Sequence, residues 1–422
     1  MLTKYCQEKE RKIKMKEYVY MSKKIKTIIA LFCICLLFCT SISIQVKGAE
    51  VDLEAVVNEA YAFIKDTYAN GSSKFITAET AKGAGTSTMD WLVIALSRLG
   101  IQDDYSLYLE KLTDYVTTKY KEEGGLSDVK ATEYHRIALA ILACNGNPRC
   151  VGEDKIDLIK DGVYDRNKVA PLDTQGINGE IWALIAVDAG NYQIPEEAYY
   201  TRDKIISSII SKQRADGSFG LIEGKTDADI TAMAVTALST YYDSDKTYDI
   251  EDKNTKEVRK IKVKAVVDKA LEALSNLQLA LGDYASEDIA NASSTSQVII
   301  ALTSLNIDIL KADDFIKEGN NLLDGLMKYK MDNGSFYRKN GNENLSDIIE
   351  TEQALLAVGA IVRQGENKGR LYDFSSELVK NTEDNKTEDN NIIVYGCLAG
   401  IVILFIISTV VFVKRKKSIQ EN

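Results

Sequence analysis

Three observations predict an all-α fold, an (α/α)6 toroid of six inner and six outer helices. Helical apolar periodicity runs through residues 50–376, whereas strand signals there are weak. Within that stretch one unit recurs six times: an amphipathic helix, a Gly-containing turn, a polar loop, and a shorter, nearly all-apolar helix. A helix that is apolar around most of its circumference must be surrounded, whereas an amphipathic one can lie outside. Six of each kind in alternation are accommodated by two concentric rings. A helical solenoid is the rival arrangement, but six units match ring closure and no polar capping repeat is visible.

The apolar helices begin at Met89 (MDWLVIALSRLGI), Thr132 (TEYHRIALAILAC), Gly179 (GEIWALIAVDAG), Asp229 (DITAMAVTALSTYY), Ser294 (STSQVIIALTSLNI) and Glu350 (ETEQALLAVGAI). Their amphipathic partners are expected over 51–68, 105–120, 155–165, 196–213, 262–278 and 313–330.

The ends of the chain read differently. Lys23, Lys24 and Lys26 precede the apolar run Thr27–Phe38, and a polar stretch with Ala49 follows, so 1–49 reads as an N-terminal extension and secretory signal peptide. Met15 and Met21 are alternative starts within it. Residues 377–391 form an acidic, polar tether. Residues 392–413 carry no charge, and Lys414, Arg415, Lys416 and Lys417 follow at once. That is the pattern of a transmembrane helix with a basic cytoplasmic tail over 414–422. The expected location is the plasma membrane, single-pass, with the toroid outside the cytoplasm. No LPxTG-like motif precedes the span, so a retained anchor is expected. Only Cys144 and Cys150 belong to the folded part, and export would permit them either to pair or to stay free. The net charge of −10 disfavours a nucleic-acid partner.

Residues 212–219 (KQRADGSF), 332–336 (DNGSF) and, more weakly, Gly124-Gly125-Leu126 place a Gly turn and an aromatic or apolar residue after an outer helix. Over about residues 51–375 the chain resembles the prenyltransferase and squalene-oxidase repeat of the terpenoid cyclase and protein prenyltransferase α/α-toroid superfamily. It is most similar to bacterial cell-surface proteins carrying that toroid, through DADITAMAVTAL, SSTSQVIIALTSLNID, FIKEGNNLLDGL and ETEQALLAV. Gly supplies the positive φ that ends a helix, and the aromatic packs under the next inner helix. The repeat speaks for fold more than for chemistry.

The resemblance implies three chemistries, each of which meets an obstacle in the residues. Protein prenyltransferases hold zinc with Asp, Cys and His. This chain has a single His, His135, and no suitably placed thiol, so no metal site is expected. Protonating cyclases use Asp-x-Asp-Asp followed by Thr-Ala. Here the run is Asp227-Ala228-Asp229-Ile230-Thr231-Ala232, with Asp229 at the proton donor's place and Ile230 replacing the last Asp. The bland role of Asp227 and Asp229 is to cap the fourth inner helix. The transcobalamin and intrinsic-factor toroid binds cobalamin, which makes a corrinoid the first ligand the resemblance implies, with His135 as an axial donor. Those proteins clasp the ligand with a β-domain that this chain lacks after Phe374.

Aligning the inner helices on their Ala-Leu cores puts Asp90, Glu133, Glu180 and Glu352 in one column, with Ala232 and Ser296 in the other two repeats. Four carboxylates at one depth need partners or water. They are either rim residues satisfying loop N–H groups or a collar that selects a ligand. Trp91 and Gln297 join them, with His135, Asp227 and Asp229, as candidate ligand contacts at the barrel mouth. The Tyr-rich composition, with Tyr199, Tyr200, Tyr241, Tyr242 and Tyr248 around the fourth repeat, suits seam-covering or a partner surface.

The leading expectation is a membrane-anchored surface toroid that binds a small molecule or a surface partner at its mouth without catalysis. The alternatives are a degenerate cyclase or glycan-acting enzyme, with Asp229 and Glu133 as acid and base, and a structural or adhesive module.

Overall fold

The computed structural model describes residues 51–378, apart from 223, 252–255 and 287. The expected signal peptide, nearly all of the tether, the span and the basic tail lie outside the described residues. Among the described residues, no helix is long and apolar enough to cross a membrane.

Helices dominate. In chain order they are α1 (Leu53–Tyr68), α2 (Ser87–Arg98), α3 (Tyr105–Glu123), α4 (Ala131–Ala143), α5 (Ile177–Ala189), α6 (Arg202–Ser211), α7 (Ala228–Leu238), α8 (Val263–Leu277), α9 (Ala292–Ser304), α10 (Leu322–Met327) and α11 (Ile348–Gly365). The six apolar segments are α2, α4, α5, α7, α9 and α11. Each packs on the next in that order, and α11 returns to pack on α2, so the neighbour relations close on themselves. On α5 burial runs all the way round, from Ile177 to Ala189 with only Asn178 and Asp188 half-exposed. By contrast α1 buries a single stripe, Val56, Val57, Ala60 and Ile64, against α11.

Two of the expected outer helices are shorter than the sequence suggested. Over 155–165 the chain makes only a wide π-type turn, Lys160–Tyr164, because Gly162 tucks against the Tyr134 side chain, where a Cβ would lie 2.5 Å from that of Tyr134. Over 313–330 a 3-10 turn (Asp313–Phe315) and a tight reversal at Lys317 and Asn320 precede the short α10, which starts at the capping box of Asn321 and Asp324.

The weak strand signals hid three antiparallel hairpins. These are β1 (Thr247–Glu251) with β2 (Val258–Lys262), β3 (Tyr284–Ser286) with β4 (Ile289–Asn291), and β5 (Phe336–Asn340) with β6 (Glu343–Asp347). The last two hairpins end at the N-caps of α9 and α11. Asn291 accepts from Ser294 N at 2.7 Å, and Asp347 accepts from Ile349 N at 2.8 Å and Glu350 N at 3.1 Å.

The repeated Gly turn has one construction. In the fourth repeat Ser218 N donates to Asp216 Oδ1 at 3.0 Å, and buried Phe219 donates its N–H to Thr231 Oγ1 at 2.9 Å. Gly217 has φ of 87°, and a Cβ there would lie 2.3 Å from the Lys269 carbonyl oxygen. The sixth repeat copies it. Ser335 N donates to Asn333 Oδ1 at 3.1 Å and Phe336 N to Thr351 Oγ1 at 3.0 Å. The fifth repeat carries a third copy, in which Tyr284 N donates to Thr295 Oγ1 at 3.1 Å. A threonine in the first turn of the inner helix thus anchors the aromatic that precedes it.

One end of the helix cycle is closed by the chain that follows α11. The Phe374 N–H meets the Ala189 carbonyl at the end of α5 at 2.8 Å. Arg370 donates to the Ser304 carbonyl at 3.0 Å and the Ser239 carbonyl at 3.3 Å, at the ends of α9 and α7. Arg98, in the last turn of α2, reaches both Glu377 oxygens at 2.9 and 2.7 Å and the Asp373 carbonyl at 2.8 Å, with its guanidinium 4.1 Å from the centre of the Phe374 ring. Three helix C-termini therefore find donors for carbonyls that no intrahelical N–H can reach. Packed structure includes Glu377, the first residue of the expected tether.

Candidate functional site

The opposite end is open. Twelve residues from the first turns of the six inner helices line a cavity of about 350 Å³, two from each helix at i and i+4. The outer layer is Ser87, Thr132, Asn178, Asp229, Ser293 and Ile349. The deeper layer is Trp91, Arg136, Trp182, Met233, Gln297 and Gln353. Spacing of i and i+4 puts both members of a pair on one helix face, one above the other. Arg338 of β5 adds to the wall and Tyr372 forms the floor.

Three aromatic rings meet there. The centroids of Trp91 and Trp182 are 5.1 Å apart, and Tyr372 lies 6.3 Å from the first and 5.6 Å from the second, all tilted or edge-on. Tyr372 also lines a second cavity of about 280 Å³ at the closed end, with Asp188, Arg370 and Asp373, so its ring separates the two spaces. The Tyr372 hydroxyl has no hydrogen-bond partner, and burial pushes its pKa up.

Polar groups above the floor divide into committed and uncommitted. Arg136 donates to Asp90 Oδ2 at 2.9 Å and the Gly85 carbonyl at 2.8 Å. Arg338 donates to Glu350 Oε1 at 3.1 Å, and Glu350 also accepts from Ser293 N at 2.7 Å. Gln297 donates to Gln353 Oε1 at 2.6 Å. Uncommitted are Asn178 Oδ1 on α5 and Asp229 Oδ1 on the neighbouring α7, both shielded from bulk water and without a hydrogen bond of good geometry, although the equally unpartnered Ser294 hydroxyl faces the Asp229 carboxyl. Burial pushes the Asp229 carboxyl up to about 6, helped by the negative charges of Asp227 and Glu350 and opposed by the Ser294 hydroxyl. An unpartnered buried acceptor is costly, and two on adjacent helices ask for a donor from a bound molecule.

Of the residues selected from sequence, the structure brings Trp91, Asp229 and Gln297 into this cavity. It places the others elsewhere. Asp90 is fully buried and accepts from Gly85 N, Tyr108 Oη and Arg136, tying α2 to α3 and α4. Glu133 accepts from Tyr115 Oη at 3.0 Å and Ser127 N at 3.0 Å, so it does not join Asp229 as an acid–base pair. Glu180 accepts from Ser208 Oγ at 2.6 Å and is paired with Lys212, clamping α5 to α6. These column residues point toward α3 and α6, because matching helices by their Ala-Leu cores fixes depth but not direction around the helix.

Glu352 is buried beside the cavity with one oxygen unpartnered. Burial pushes its carboxyl up to about 9, with Gln353 and Arg136 opposing and Asp347 reinforcing. Asp227 is the N-cap of α7, accepting from Asp229 N at 2.9 Å and Ile230 N at 3.2 Å; Asp229 has no such role. His135 is 1% exposed and hydrogen-bonded through Nε2 to the Gly162 carbonyl at 2.7 Å. It faces the π-type turn, not the mouth, and burial pulls its pKa down to about 4. An axial-donor role at the mouth is therefore corrected. Cys144 is buried, Cys150 is exposed, and both thiols are free.

Sequence reasoning missed Asn178, Met233, Gln353, Arg338 and Tyr372. The i, i+4 spacing from Asp229 was a usable signal for Met233, whereas Asn178 and Gln353 pair with Trp182 and Ile349, which were not among the selected residues. Nothing local marked Tyr372, which reaches the axis only because its segment folds back across the helix ends. Val129, Leu221 and Ile222, in turns ahead of α4 and α7, Ile289 and Leu345, in the hairpin strands ahead of α9 and α11, and Ile349, at the start of α11, are exposed apolar side chains. Among the described residues no group of three or more His, Cys, Asp or Glu side chains is arranged to hold a metal ion. No family model matches the chain, and no curated protein matches it.

Proposed function

We propose that this chain is a surface-displayed helical toroid whose open mouth binds a small amphipathic molecule, without catalysis. The observation that carries the reading is the convergence of two side chains from every inner helix on one cavity with an aromatic floor and unsatisfied polar groups above it. Preformed pockets that take small ligands have this makeup, mostly apolar walls with a few convergent polar atoms. The exposed apolar side chains ahead of the inner helices suit a ligand whose body extends from the cavity. At about 350 Å³ the cavity lies at the small end of ligand pockets and cannot enclose a corrinoid. A corrinoid would have to rest on the rim, without His135.

The six-over-six toroid and its kinship with the prenyltransferase and squalene-oxidase repeat are part of the proposal. They are supported by the cyclic packing of the inner helices and by the three aromatic-threonine turns. The secretory signal, tether and membrane anchor belong to it as well, on the sequence pattern alone. The last described residues lie at the closed end, beside Glu377, so an anchor following them would attach on the side opposite the open mouth.

Both tryptophans of the chain lie in the cavity, so intrinsic fluorescence reports on it alone. The full chain in lipid vesicles is titrated with 2-phenylethanol, a neutral amphipathic probe. A saturable change in tryptophan emission that is lost when the cavity is filled by Met233→Phe supports the reading. A linear, non-saturating response, or one equal in the filled variant, overturns it.

A further inference from the structure

We propose that the molecule bound at the mouth is an organic cation, an amine or methylated ammonium carried on an apolar body. The inference rests on the binding cavity proposed above and specifies its ligand. Above the floor two polar atoms of the cavity lining are left open, Asp229 Oδ1 and Asn178 Oδ1, both acceptors on adjacent helices in the same layer, while the unpartnered Tyr372 hydroxyl lies below them in the floor. A ligand that satisfies them must bring N–H or positive charge. Below them lie Trp91, Trp182 and Tyr372, aromatic rings whose π faces carry the negative potential that attracts a cation.

The fixed charges of the cavity agree. The two guanidiniums in the wall are already neutralised, Arg136 by Asp90 at 2.9 Å and Arg338 by Glu350 at 3.1 Å, with Asp347 at 3.5 Å. What remains uncompensated is the Asp229 carboxylate, so an anionic ligand would meet it with no free cation, whereas an ammonium would pair with it. A neutral alcohol could donate one hydrogen bond but would leave the charge unpaired. The deeper Met233 offers a soft, apolar contact for the body of the ligand.

Binding should therefore follow the ionisation of Asp229. The charged groups that face it are Asp227 on its own helix, Glu350 on α11, and Arg136 and Arg338 across the cavity. From α5 and α9 come the uncharged Asn178, Ser293, Ser294 and Gln297. Of the remaining neighbours of α7, α8 buries only apolar side chains and β3 buries the phenol of Tyr284. With the carboxyl near 6, roughly a tenth of it is ionised at pH 5 and nearly all of it at pH 7.5, while an aliphatic amine stays protonated at both.

The test uses the tryptophan emission of the full chain in lipid vesicles with two matched probes, 2-phenylethylamine and 2-phenylethanol. The amine is expected to bind at least about tenfold tighter at pH 7.5. That preference should shrink about tenfold at pH 5 and fall to within about threefold in Asp229→Asn. Equal binding of amine and alcohol at pH 7.5 would overturn the cation assignment while leaving the cavity a binding site. A preference for the amine that survives in Asp229→Asn would overturn it too. Absence of saturable binding by either probe would overturn both the cation assignment and the binding reading beneath it.

Discussion

Replacing Glu352 by glutamine removes a carboxyl that the fold must keep protonated. The side chain is 3% exposed, one oxygen has no partner, and its pKa is raised from 4.5 to about 9. Between those values the folded chain holds a proton that the unfolded chain releases, so wild-type stability falls as pH rises across the window. At pH 7 the cost is about 2.5 pH units at 1.36 kcal/mol each, or about 3 kcal/mol. Glutamine keeps the shape without the ionisation, so Glu352→Gln should stabilise the chain by up to about 3 kcal/mol at pH 7. For a folded part of this size, with an unfolding entropy of about 2.1 cal/mol/K per residue, that corresponds to about 4 °C in Tm. Thermal melts of both chains at pH 4.5, 6, 7 and 8 should show curves that nearly coincide at pH 4.5 and separate progressively above it. A separation independent of pH, or a less stable variant at every pH, would refute the burial argument for Glu352.

The remaining predictions follow from the same contacts. His135, the single histidine, should stay neutral until pH falls to about 4, and its imidazole signals followed by NMR report this directly; titration near 6.5 would mean that the ring is not buried as described. Because its folded pKa is lowered, the stability it allows is complete above pH 6.5 and lost as pH falls toward 4. Thr351→Val should cost about 1 kcal/mol in denaturant melts, because the buried Phe336 N–H loses its acceptor, and Thr231→Val should do the same to Phe219. Arg98→Ala should cost about 2–4 kcal/mol and expose the chain near Arg370 to limited proteolysis; resistance equal to wild type would mean that the closing segment does not depend on that guanidinium.

Much of this architecture can be read in the sequence, for a physical reason. Segments such as GEIWALIAVDAG are apolar all round and can only be interior, and their regular alternation with amphipathic partners orders them. The Asp227 cap and the aromatic of each Gly turn are likewise local features. What escaped was set by distant contacts. The carboxylates Asp90, Glu133 and Glu180 look like a ligand collar until their partners Tyr108, Tyr115 and Ser208 are seen on outer helices. Tyr372 is an unremarkable residue until Arg98, Arg363 and Arg370 hold its segment across the helix ends. Lys160–Tyr164 fails as a helix because Gly162 must lie flat against Tyr134. The hairpins escaped because their strands are short and, in β2 and β6, mostly exposed; β1 alternates, with Tyr248 and Ile250 buried, but over only five residues.

A crystal structure of the full chain grown in saturating 2-phenylethylamine would test the central claim most directly. The account predicts the ammonium within hydrogen-bond distance of Asp229 Oδ1 and Asn178 Oδ1 and above the Trp91, Trp182 and Tyr372 rings, with the phenyl ring against Met233. An unoccupied mouth at saturation, with those two oxygens still unpartnered, would contradict it.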